Sequence, residues 1–236
     1  MIEDLPNGYY INNKHKYKKL YGVGINDAEY PVTKHIKIII SPNQYKYKKV
    51  WQCPYYSKWA DMLCRCYASK HKKKNPTYQG CSVCDKWLLF SNFKSWMEQQ
   101  DWEGKQLDKD LLVYKNKVYS PETCVFLYPR LNGFLVKVDA RRGLLPIGVS
   151  YRKLENGRIT TRKKPYECHI SDGSKRLFIG YFKTPEEAHR AWQKAKASLS
   201  FDIAVNQADL KVTEGFLRVF EKILNDYEQR LETIDY

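Results

Sequence analysis

Residues 148–197 constrain this chain more than any other stretch, because three short runs of strand character lead there into one sharply capped helix. Asn156-Gly157 and Asp172-Gly173 supply the positive φ angles that tight hairpin turns require, so the three runs predict an antiparallel meander. Along the middle run, Tyr166, Cys168 and Ile170 alternate with Glu167, His169 and Ser171, which puts each set on its own face. Helix start is explicit: Thr184 is placed to cap, Pro185 to occupy the first position and Glu187 to close a capping box. Ala188, Ala191, Trp192 and Ala195 then form a narrow apolar stripe, small enough to let the helix approach a sheet closely. A sheet braced on one face by such a helix keeps its other face for a partner.

Charge indicates what that partner is. Lys and Arg total 41 against 26 acids, a formal charge of +15, and each lysine or arginine that neutralises a phosphate releases a counterion. The basic residues stand beside Tyr, Trp and Phe, which stack on bases and sugars, so a polyanion is preferred over a merely soluble basic surface. With 236 residues, 43% of them apolar, the chain has material for real cores and for two small domains or one large one. No apolar run reaches the length of a membrane span, and MIEDLPNGYY lacks the basic start and apolar stretch of a secretion signal. Seven cysteines, several in apolar contexts such as Cys64, Cys66 and Cys124, read as reduced thiols of a cytoplasmic protein, not a disulfide framework.

Upstream, residues 1–50 read as a basic extension with one strand at Ile36 to Ile40, stopped by Pro42. Residues 55–67 predict a helix, with Trp59, Met62, Leu63, Cys66 and Tyr67 on one face. The lysine run from Lys70 to Lys74 reads as a loop, and Ser91 as the cap of a second helix that buries Phe93, Trp96 and Met97. LDKDLLV predicts a strand, KNKVYSPETCVFLY a turn and a second strand, and PRLNGFL a short helix with Pro129 in its first turn. Strand, loop, strand and helix in so few residues make a compact ββα unit. Residues 136–147 read as a linker ended by Pro146. A last helix is expected over roughly 214–233, with Phe216, Phe220, Ile223, Leu224, Tyr227 and Leu231 on its buried face. Acids outnumber bases along it, so it is expected to pack on the ββα unit or to pair with a second copy as a homodimer, not to touch a polyanion.

Cys81-Ser82-Val83-Cys84 has metal-ligand spacing, and with Cys64 and Cys66 four thiolates could hold a structural Zn2+. Cys66 lies on the apolar helix stripe, however, and a single Cys-x-x-Cys is a weak motif, so small buried thiols are the preferred reading.

GVSYR, YECHI, RLFIGYF and TPEEAHRAW, in that order over about fifty residues, resemble the Apetala-type, ethylene-response-factor DNA-binding domain of plants and mobile phage elements. The resemblance implies a three-stranded sheet lying in the major groove of double-stranded DNA. Its groove-facing positions here are Ser150, Arg152, His169, Ser171, Arg176 and Phe178. Arg158, Arg162, Lys163 and Lys164 are expected on phosphates. Plant members carry Arg where this chain has Ser150 and Ser171, so the plant target sequence does not transfer.

WADMLCRCY, YQGCSVCDKWLLFSNFKSW, LDKD, YSPETCVF and Asn132 resemble, over residues 20–135, the HNH-like endonucleases encoded by phages and prophages, including homing types. That resemblance implies a divalent metal, Mg2+ or Mn2+, held against the scissile phosphate by Asp108 and Asn132, with Asp110 as an alternative or second ligand. Lys109 stands at the catalytic histidine's position and Thr123 at that of a loop-ordering asparagine. A protonated lysine cannot accept a proton, and none of the 5 histidines lies in the ββα unit, although His71 is a candidate to reach it in space.

The expected architecture is α+β: a basic extension (1–50), an HNH-like ββα nuclease domain (51–135), a linker (136–147), a sheet-plus-helix DNA-binding domain (148–200) and a C-terminal helix (201–236). The expected activity is site-directed, metal-dependent DNA cleavage, in the host bacterial cytoplasm if the chain is phage-encoded. The alternative is a DNA-binding regulator, or a blocker of host machinery, of the same build without catalysis. An RNA-binding role has only charge and aromatics behind it, since the A-form major groove is too narrow for such a sheet.

Overall fold

The computed structural model describes residues 9–11, 19–136, 143–154, 157, 159 and 162–236. The architecture is α+β, and the chain divides into two compact units, Met1–Trp102 with Asn116–Cys124, and Glu103–Lys115 with Val125–Tyr236. Residues 51–135, expected as one domain, therefore contribute to both.

The first unit begins with an antiparallel sheet of β1 (Tyr9–Ile11), β2 (Thr33–Ser41) and β3 (Gln44–Gln52), in that order. The stretch expected to carry one strand thus holds a long hairpin turning at Pro42 and Asn43. Period-2 reading missed β3 because lysine and tyrosine alternate in it and none of its first eight residues is buried. Helix α1 (Pro54–Tyr67) starts on Pro54 and buries Trp59, Met62, Leu63 and Cys66, as its spacing predicts. The lysine run is not a loop but a short helix, α2 (Ser69–Lys74), with no buried residue. Helix α3 (Phe90–Met97) buries Phe90, Phe93 and Met97, while Trp96 is only half-buried. Ser91 lies inside its first turn and does not cap it. Instead Asp27 satisfies the orphan amide, accepting from Ser91 N at 2.9 Å. The core is aromatic: Trp59 meets Phe90, Trp87 meets Phe93, and Trp59 Nε1 donates to the Trp87 carbonyl at 2.7 Å, satisfying a buried indole. A parallel pair, β4 (Ser82–Val83) with β6 (Val118–Tyr119), completes the unit.

In the second unit β5 (Gln106–Asp108) pairs antiparallel with β7 (Val125–Leu127), and helix α4 (Pro129–Leu135) packs on both. The strand expected over LDKDLLV is shorter than its apolar pattern suggests, because the Asp108 carboxylate draws the following amides into a turn. Strands β8 (Val149–Tyr151), β9 (Tyr166–Ser171) and β10 (Arg176–Phe182) form the expected antiparallel meander, with β9 central. Helix α5 (Pro185–Val205) covers one face, and Thr184 caps it by accepting from Glu187 N at 3.2 Å. The 136–147 stretch read as a linker falls partly outside the described residues; of the rest, Leu145 and Ile147 pack on the core.

The last helix, α6 (Leu210–Glu228), starts and ends earlier than its apolar spacing suggests. Asp209 caps it, accepting from Lys211 N at 2.9 Å, and Arg230 at φ 58° turns the chain out of it. The tail then enters the core, where Thr233 N donates to His189 Nε2 at 3.0 Å and Gln193 Nε2 donates to Thr233 Oγ1 at 2.9 Å. Val212, Phe216, Val219 and Ile223 of α6 share one core with Trp192 and Ala197 of α5, Leu111, Val125 and Phe134. Leu111, Val125 and Phe134 belong to the ββα elements, so this face packs on that unit, one of the two partners the sequence offers it.

A close approach joins the ββα elements to the meander. Gly173, at φ 92° in the β9–β10 turn, lies so near α4 that a Cβ would fall 1.9 Å from the Arg130 carbonyl oxygen. Arg130 Nε donates to the Asp172 carbonyl at 3.2 Å across the same seam.

Candidate nucleic-acid interface

With α5 against one face of the meander, the outward residues of β8–β10 form a continuous polar and aromatic strip. Phe178 pairs with His169 and Tyr181 with Glu167 across the ladder, and directly opposed residues share a face. Between Phe178 and Gly180 the register shifts by a bulge. Strict alternation from Arg176 and Phe178 would turn Tyr181 inward; the extra residue reverses the phase and turns it out. The ring of Tyr181 lies 4.8 Å from that of Phe178, and the Arg152 guanidinium sits 3.9 Å above it. Tyr181 therefore belongs to the outer face, a placement that alternation alone conceals.

Arg176 organises the other half of the strip. Its Nη2 donates to His169 Nδ1 at 2.8 Å and to Ser150 Oγ at 3.3 Å, and Glu167 Oε1 lies 4.0 Å away. Ser150 Oγ in turn donates to Glu167 Oε1 at 3.1 Å. A guanidinium cannot accept, so His169 Nδ1 is the acceptor and the ring carries its proton on Nε2. Burial, then the neighbouring Arg176 charge, holds the His169 imidazole below its ordinary range, while Glu167 opposes them. At neutral pH the strip thus presents a neutral imidazole beside a fixed guanidinium, with Phe178 52% exposed next to them. A planar fork of donors suits the O6/N7 edge of guanine, and exposed rings suit thymine methyls or sugars.

The remaining expected groove residues divide. Ser171 is exposed, but its Oγ accepts from Gly173 N at 3.1 Å and so orders the turn. Arg162, Lys163 and Lys164 are exposed in the β8–β9 connection, where phosphates would meet them. Arg158 lies outside the described residues. Glu167, read from the sequence only as a strand residue of that face, positions Arg176 and Ser150.

The ββα residues are built differently. Asp108 Oδ1 accepts from Asp110 N at 2.9 Å and Leu111 N at 2.8 Å, closing a turn at the end of β5. Burial pushes its carboxyl above the ordinary carboxylate range, and the two amides pull it back. Lys109 is 5% exposed, and its ammonium is paired with the Asp110 carboxylate. Asn132 on α4 donates from Nδ2 to Gln106 Oε1 at 2.7 Å, which fixes the side chain and leaves its carbonyl oxygen as an acceptor. Thr123, in the first unit, orders its loop: Oγ1 donates to the Val118 carbonyl at 2.7 Å and accepts from Ser120 N at 3.2 Å. His71 belongs to the first unit, where its ring lies tilted against that of Tyr78 at 5.4 Å.

Among the described residues no group of three or more His, Cys, Asp or Glu side chains is gathered to hold a metal ion. The oxygens of Asp108, Asp110 and Asn132 are hard donors that fit Mg2+ or Mn2+ in kind, and such an ion would supply charge to polarise a phosphate. Asp110 would have to exchange Lys109 for it. None of the four candidate zinc cysteines forms a disulfide. Cys66 and Cys81 are buried, Cys64 and Cys84 are half-buried, and burial pushes the Cys84 thiol up, away from the thiolate a metal needs. No helix among the described residues is long and apolar enough to cross a membrane.

Comparison of the chain with protein-family models, with curated proteins and with solved structures finds no match in any of the three.

Proposed function

We propose that this protein binds double-stranded DNA selectively, laying the outer face of β8–β10 in the major groove. The observation that carries the reading is the Arg152–Tyr181–Phe178–His169–Arg176 strip. Cations and rings are held in place there before any ligand arrives, on the face that α5 leaves open. Preorganised side chains lose less entropy on binding, and a fixed fork discriminates between base edges where a mobile one grips phosphate. The test is selection of duplexes from a random pool, followed by affinities for the selected site and a scrambled one. Arg152→Ala with Arg176→Ala is expected to remove about 1–3 kcal/mol of discrimination for each base edge no longer read. Equal weakening on both duplexes would sink the reading.

A second reading, a phage-type, HNH-like endonuclease directed by the same sheet, has one observation in its favour. Strands β5 and β7 and helix α4 set Asp108 and Asn132 in one ββα unit, and α4 is joined to the β9–β10 turn through Arg130. It ranks second because Asp110 is engaged by Lys109 and no histidine stands beside Asp108 in the sequence. Nicking of supercoiled DNA with Mg2+ or Mn2+ by the wild type and not by Asp108→Asn would move it first. Duplex binding without any cutting would leave the binding regulator or blocker.

A further inference from the structure

The β2–β3 hairpin is an exposed feature that the sheet reading leaves unused. It runs from Thr33 to Gln52 without one acidic residue and carries Lys34, Lys37, Lys46, Lys48 and Lys49. Register assigns its faces. Lys37 opposes Tyr47 and Ile39 opposes Tyr45, so these four share one face; Ile36 opposes Lys48 and Ile38 opposes Lys46 on the other. On the first face Lys37 Nζ lies 4.1 Å over the Tyr45 ring, and Tyr45 meets Tyr47 edge-on at 5.5 Å. Near the tip Ile40 is skipped by the ladder between the Ile39–Tyr45 and Ser41–Gln44 pairs, so a bulge re-aims it. Ile39 is 72% and Ile40 55% exposed. Two adjacent exposed isoleucines at the end of a lysine-lined ribbon are costly in water without an apolar partner.

We infer that this hairpin is a second DNA-contact surface: β1 pairs with Lys34–Ile36 at its base, and from Lys37 outward it is a two-stranded arm that lies in a groove of the duplex. Its lysines hold the phosphates along both walls, and Ile39 and Ile40 press on the bases. Cations on both faces argue for a groove, since a membrane or a protein surface would meet only one face. Beyond β1, Lys37 to Ser41 and the facing part of β3 form a two-stranded ribbon roughly 17 Å long, and the major groove admits such a ribbon. Apolar side chains are the usual means of pressing into base steps. The inference takes from the sheet reading only that the ligand is a DNA duplex.

The test uses the full chain and a duplex of random sequence, with affinity measured across salt concentration. Lys37→Gln, Lys46→Gln and Lys48→Gln together should lower the slope of log K against log salt by about 2 to 3, at roughly 0.9 for each phosphate no longer neutralised. Ile39→Ser with Ile40→Ser should weaken binding several-fold at unchanged slope. All five positions lie outside the buried core, and an unchanged far-ultraviolet spectrum checks the fold. The hairpin assignment is overturned if the triple variant keeps the wild-type slope, or if it loses binding to anionic vesicles and not to DNA. Arg152→Ala with Arg176→Ala, run alongside, separates the two surfaces: it alters site preference if the sheet reads sequence, whatever the hairpin variants do.

Discussion

At Asp108 two demands meet on one carboxylate. It ends β5 by accepting two backbone amides, and under the nuclease reading it would also hold a cation. Burial raises its folded pKa above the unfolded value, so the native state binds the proton more tightly. The stability this contributes is present below the unfolded pKa of about 3.8 and is lost as pH rises through the folded pKa. An asparagine side chain at this position would accept the same two amides and carries no charge at any pH. Asp108→Asn should therefore gain in stability relative to the wild type as pH is raised from about 3 to about 7, read as the difference in urea midpoints at the two pH values. A variant that loses ground at neutral pH would mean that the charge is stabilising where it stands, through Lys109 or otherwise. Single residues also mark where sequence reading stopped. Motif order singles out Asp108 and Asn132, whereas the Lys109–Asp110 pair and the Gln106–Asn132 bond follow from side-chain placement in space.

Among the elements, α5 was read most completely and β10 least. The Thr184, Pro185 and Glu187 signal is local, because a cap satisfies amides within one turn of itself. Thr184→Ala should cost about 1 kcal/mol by chemical denaturation, and Thr184→Ser should restore most of it. No loss in the alanine variant would mean that packing of α5 on the sheet, not the cap, sets where the helix begins. The β10 bulge left no such mark. Ile179 and Gly180 fit an unbroken strand equally well, and only pairing with β9 decides which residue is skipped. Helix α5 also hides a second buried side: His189, Gln193, Lys196 and Ser200 are polar yet buried. Amphipathic reading assigns such residues to solvent. Their partners are distant in sequence: the tail at Thr233 lies 40 residues from Gln193, and the Phe134 carbonyl (2.5 Å from Lys196 Nζ) lies 62 residues from Lys196.

For the whole chain, the ββα elements and the β8–β10 meander share one hydrophobic core. Leu111, Val125, Leu127 and Phe134 pack in the same cluster as Trp192 and Phe216. A fragment ending at residue 147 should therefore fail to protect the β5, β7 and α4 amides in hydrogen exchange, while α1 and α3 keep their protection. Retained protection of Leu107 and Phe126 would show that the ββα elements stand without the C-terminal half. Sequence by itself determined what is local or periodic: the α+β class, α1, the Asp172-Gly173 turn, the α5 cap and the basic, aromatic character of the exposed strands; the Asn156-Gly157 turn signal falls partly outside the described residues. Neighbours in the chain set those features, through φ preferences, capping and side-chain period. Tertiary structure alone decided that residues on either side of 116–124 belong to another unit than that loop, that Tyr181 faces outward with Arg152, and that α6 spends its apolar face at home. Each of these depends on which distant segment supplies the partner surface, and burial energy rewards that choice without leaving a local signal.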